Sequence, residues 1–188
     1  MSENKFADTS ALGLFLVALS LLSFGLVGVL TFADSEFAGG MNAMLFPMAW
    51  YAAIIFLLIA IAQFMAGSKF MTVIFGFLAF AFAVFSKSAD WGGALFADGA
   101  FLFFILIGVL FIIFALWTFL AKAGFMLMGI LLMAGLAFIM FSLALNATVN
   151  LNDADMFWLL MGVFSFLGGI LAIYLAIVDT TGLKLPVM

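Results

Sequence analysis

The chain has 188 residues, 70% of them hydrophobic and only 7% charged, with a net charge of −4. A soluble domain carries roughly a quarter charged residues, so no soluble fold covers this much apolar side chain, and the surrounding medium must itself be apolar. Cysteine and histidine are absent, which removes disulfides, the common ligands of zinc, haem and iron–sulfur sites, and the usual general base; no cofactor, metal or nucleic-acid partner is expected.

Six apolar runs follow in chain order, at residues 11–32, 43–66, 70–86, 100–120, 123–145 and 156–178. Crossing the hydrocarbon takes about 20 helical residues, with a range of roughly 17 to 25, and all six qualify. They are continuously apolar, whereas barrel strands alternate over about 10 residues, and a helix satisfies each backbone N–H within its own segment. The first run is too long for a secretory signal, and the mixed charges of residues 2–10 lack the positive character of one. It is therefore read as a retained helix. The whole chain, 1–188, is expected to be one six-helix transmembrane domain of an all-α, multi-pass protein.

Lysine gives the direction. Lys5, Lys69, Lys122 and Lys184 lie in the N-terminus, the second and fourth connections and the C-terminus, whereas Lys87 alone lies on the opposite side. Cytoplasmic segments carry the lysine excess, so both termini are expected in the cytoplasm. The acids Asp34, Glu36, Asp90, Asp98, Asp153 and Asp155 fall in the outer connections, with the loop glycines Gly39-Gly40 and Gly92-Gly93. Trp50, Trp91, Trp117 and Trp158 lie near helix ends, as interfacial anchors do.

In lipid, helices associate through small residues that let backbones approach. Helix 1 offers Ala11, Ala18 and Gly25, helix 2 Ala53, Ala60 and Gly67, and helix 6 Gly168, Ala172 and Ala176. Phenylalanine is crowded into helices 3 and 4, at Phe75, Phe77, Phe80 and Phe82 and at Phe101, Phe104, Phe111 and Phe114. Most belong to core or lipid-facing surface; a few are candidates for a hydrophobic constriction of the kind that gates a pore by dewetting. No Asp, Glu, Lys or Arg lies in the middle of a run, which argues against a buried-carboxylate proton relay. The mid-membrane polar residues are Ser20, Ser23, Gln63, Thr72, Thr118, Ser142, Ser165 and Tyr174. The hydroxyls can bond back to a carbonyl one turn earlier. Gln63 needs several partners and is the candidate for a pore or a purposeful interhelical contact. No nucleophile–base pair, paired carboxylates or phosphate loop suggests an enzyme.

Three strings carry a family resemblance. ADTSALGL, residues 7–14, resembles the N-P-A-P-L-G-L signature of the acetate/succinate permease (acetate uptake transporter) family through Leu12-Gly13-Leu14, with Asp8 for the asparagine and Thr9 and Ala11 for the prolines. IAIAQFMAG, residues 59–67, resembles the family's A-Q-x-x-A-G, and Gly169 with AIYLA at 172–176 resembles its G-x-x-A-x-Y-x-A. The family's pore-narrowing tyrosine has no counterpart in Phe82-Ala83. The resemblance implies a hexamer in the plasma membrane, each subunit with its own narrow pore for small monocarboxylates such as acetate. It also implies pathway positions at Asp8, Leu12, Gly13, Leu14, Gln63 and Tyr174. An anion in so apolar a pore meets a large desolvation cost, which points to passage as the neutral acid. The alternatives are a channel for neutral solutes of the urea or amide type, and a structural membrane subunit without transport.

Overall fold

The computed structural model describes residues 9–33, 37–88, 94–122, 124–150 and 154–181. They form α1 (Ser10–Phe32), α2 (Phe37–Met65), α3 (Lys69–Ser88), α4 (Ala94–Leu120), α5 (Phe125–Asn150) and α6 (Ala154–Thr181). No strand occurs among the described residues. All six helices are long and apolar enough to cross a bilayer, and the protein is an all-α, multi-pass membrane protein.

Several helices outrun the apolar segments that announce them. α2 begins at Phe37 and takes in Gly39 and Gly40, which corrects their reading as loop glycines, and α4 begins at Ala94 and takes in Asp98. Hydropathy marks where the hydrocarbon ends, whereas a backbone ladder continues until its terminal N–H and C=O groups find other partners.

The two short turns are built by backbone chemistry. After α2, the Gly67 N–H bonds to the Phe64 carbonyl at 3.0 Å and the Ser68 N–H to the Gln63 carbonyl at 2.9 Å. This is the paired closure of a Schellman motif, with Gly67 at φ 83°. Gly67 therefore serves the turn rather than the small-residue ladder of helix 2, and nothing lies within 4 Å of where its Cβ would be. After α4, Lys122 takes the left-handed position at φ 55° and Gly124 follows at φ 108°.

The helices form a closed ring in the order α1, α6, α5, α4, α3, α2. Four neighbouring pairs pack closely, namely α1 with α6, α6 with α5, α5 with α4, and α2 with α3. The α1/α2 seam is lighter, and the backbones of α3 and α4 barely approach. The ring is thus an α2–α3 hairpin set against a four-helix block of α4, α5, α6 and α1.

Glycine brings backbone against backbone in two of the close seams. At α1/α6, a Cβ on Gly28 would lie 2.6 Å from the Trp158 carbonyl oxygen and 2.9 Å from the Gly162 Cα. At α4/α5, Gly108 and Gly135 face each other's carbonyl oxygens, at 2.7 and 2.8 Å from the respective Cβ positions. Phenylalanine fills the open seam. α3 reaches α4 through Phe70–Trp117 at 5.0 Å, Phe77–Phe111 at 5.3 Å, Phe80–Phe103 at 6.0 Å and Phe85–Phe104 at 5.9 Å between ring centroids. All four pairs are edge-to-face, the arrangement that ring quadrupoles favour.

Candidate functional site: a polar mouth and a central cavity

Antiparallel alternation brings the start of α1, the end of α2 and the end of α6 to one end of the ring. Two polar contacts tie them there. The buried Gln63 amide donates from Nε2 to Thr9 Oγ1 at 3.0 Å. The buried Ser10 hydroxyl donates to the Asp179 carboxylate. Gln63 is held in place by its own carbonyl, which closes the Schellman turn.

One turn deeper, Gly13 lets a ring into the axis: a Cβ at this position would stand 2.3 Å from Phe75 Cζ. Phe75 in turn stacks on Phe56, with 6.1 Å between centroids and 17° between planes. Leu14 is buried in the core, whereas Leu12 is 58% exposed and faces outward. Tyr174 is half-buried and does not line the cavity described next. Asp8 lies outside the described residues. Of the positions named from the sequence, Gly13, Leu14 and Gln63 are therefore buried towards the same end of the ring.

Halfway along the helices lies a cavity of about 30 Å³ to which all six contribute. Its wall includes Val17, Ser20 and Phe24 of α1, Phe56 of α2, Phe82 of α3, Phe111 of α4, Phe138 of α5 and Ser165 of α6. The volume suits one or two water molecules. None of the lining residues is ionisable. Towards the far end the axis is filled by Phe24, Phe85, Phe104 and Phe141, whose rings contact one another at 5.0 to 6.0 Å between centroids. Ser20, Phe24 and Phe82 also line a lateral groove of about 300 Å³ between α1 and α2.

Reasoning from the sequence missed Asp179. The signal for it was present: a carboxylate in the last turn of α6 opposes the negative end of the helix dipole, and such a residue wants a specific donor. It finds one in Ser10.

No protein-family model and no curated protein matches the chain. Among solved structures, the chain is similar to the bacterial acetate channel SatP, with a TM-score of 0.75 and 18% sequence identity over 97% of this chain and 99% of that one. The two share a fold. The whole six-helix ring takes part in the likeness, and the polar mouth and the central cavity lie within the shared architecture.

Proposed function

We propose that the chain forms a single transmembrane domain that lets a small monocarboxylate, acetate in the first place, cross the plasma membrane through the axis of each subunit. The observation that carries this reading is a fold shared end to end with an acetate channel, together with a cavity on the axis of the ring to which every helix contributes. The end bearing Thr9, Gln63 and Asp179 is the cytoplasmic mouth, consistent with Lys69 and Lys122 lying at that end. Subunits assemble as a hexamer, as the family resemblance implies.

The permeant crosses uncharged. The cavity wall holds no ionisable group, and an isolated carboxylate without donors to replace its water is strongly disfavoured in such a medium. The same lining favours a second reading, a channel for small neutral solutes of the urea or amide type.

Flux of labelled acetate into proteoliposomes tests the first reading. The expected result is uptake above that of protein-free vesicles, reduced about tenfold or less in Gln63→Leu, which removes the amide bonded to Thr9. Wild-type uptake equal to that of bare vesicles sinks the acetate reading. Urea or acetamide flux in the same vesicles then decides between the neutral-solute channel and a structural subunit.

A further inference from the structure

Among the described residues, most helix hydroxyls bond back to a carbonyl of their own helix. Ser20, Ser23, Thr72, Thr118, Thr180 and Thr181 each donate to the carbonyl four residues back, at 2.7 to 2.8 Å. That bond is the cheapest way to satisfy a hydroxyl in an apolar helix. Ser142 instead crosses to the Phe101 carbonyl of α4 at 2.6 Å. Ser165 does neither. It is fully buried, and its Oγ, like Thr31 Oγ1 in the last turn of α1, has no hydrogen-bond partner among the described residues.

Ser165 also lines the central cavity. An orphaned hydroxyl in an apolar interior is costly, and the bond to its own helix goes unused. Across the cavity wall, the Ser20 hydroxyl donates to Leu16 and keeps lone pairs to accept with. The cavity therefore presents one donor–acceptor group without a partner and one acceptor, walled by the rings of Phe24, Phe56, Phe82, Phe111 and Phe138.

We propose that Ser165 is the polar station of the permeation path, the group that hydrogen-bonds a neutral permeant halfway across while the phenylalanine rings give way around it. The chemistry selects a small molecule with an acceptor and a donor on the same carbon, as in a protonated carboxylic acid. The Ser165 O–H donates a hydrogen bond to the carbonyl oxygen, and the acid O–H donates one to a serine oxygen. A carboxylate lacks that donor and finds no cation in the wall. This proposal rests on the permeation reading above and assigns it a residue and a protonation state.

The absence of cysteine from the chain makes the test clean. In proteoliposomes, the Ser165→Cys thiol is expected to react with methyl methanethiosulfonate, to be slowed by acetate at acid pH, and to lose acetate flux once modified. Lys69→Cys, at the exposed first residue of α3, serves as the accessible control. Ser165→Ala is expected to lose about five- to tenfold in acetate flux with an unchanged or higher melting temperature, because it removes an unsatisfied hydroxyl; a purely structural serine would lower it.

The proposal is overturned if Ser165→Cys stays unmodified where Lys69→Cys reacts. It is also overturned if Ser165→Ala carries acetate at the wild-type rate. The two readings fail separately. Absence of flux through the wild-type protein, together with an acetate-protected thiol in Ser165→Cys, removes the permeation reading and leaves the binding station standing.

Discussion

The four-helix block and the α2–α3 hairpin are joined to themselves and to each other by opposite means. Within the block, glycine brings backbone against backbone, as at Gly28–Gly162 and Gly108–Gly135. Between the block and the hairpin, α3 and α4 hold their backbones apart and fill the space with rings. A backbone contact has one geometry and no rotamers to exchange. A ring seated among other rings can turn without moving a helix. The central cavity lies on the boundary between these two constructions, with Phe82 of the hairpin facing Phe24 and Phe138 of the block. The difference is a division of construction, in which the block fixes the cavity's shape by backbone contact and the hairpin side walls it with rings.

The strongest blow to that contrast is a methyl group on the rigid side. Gly28→Ala places a Cβ within 2.6 to 2.9 Å of the Trp158 carbonyl oxygen and the Gly162 backbone. No rotamer relieves this, so α1 and α6 must separate. The expected loss is about 3 kcal/mol, or roughly 6 to 12 °C in melting temperature for a chain of this size. Thermal unfolding in detergent measures it. An unchanged transition would mean that the seam yields as readily as the aromatic one, and the contrast would collapse.

The next largest effect is expected on the adaptable side, and there the readout is function. Phe82 meets Phe56 at 5.4 Å and Phe24 at 6.2 Å between centroids, and it lines both the cavity and the lateral groove. Phe82→Leu keeps the site apolar, so a stability loss of about 1 kcal/mol is expected. It also thins the wall, and acetate flux in proteoliposomes should rise several-fold. Lost stability without a gain in flux would take this ring off the path.

The fold was legible because it is a matter of solvent: a chain this apolar must put its helices in lipid, and six runs of membrane length announce six spans. The seams were legible only in part. Ala18, Gly25, Gly168 and Ala172 stand in visible ladders and are buried as such. Gly108 and Gly135 pair one glycine from each helix, and a single glycine leaves no periodic trace. The mouth was half visible. Gln63 stood out because its amide needs partners, but that one of them is Thr9, where the resembling family has proline, depends on how α1 enters the ring. Ser165 could not be told from the other serines, since all of them have a carbonyl one turn back. Only the direction of its hydroxyl separates it, and no local pattern encodes that.

The smallest effect concerns a glycine that reads much like Gly28 in the sequence and behaves in the opposite way. Gly76 sits inside α3, facing α2, and the nearest group to its would-be Cβ is the Ala60 methyl at 4.0 Å, which is ordinary van der Waals distance. Gly76→Ala therefore adds a contact without displacing anything, and it removes the conformational cost of a mid-helix glycine, about 1 kcal/mol. The melting temperature should stay level or rise by about 2 to 4 °C. A fall instead would show that α2 leaves no room for a methyl opposite Ala60, and that the α2/α3 seam is as intolerant of added volume as the glycine seams of the block.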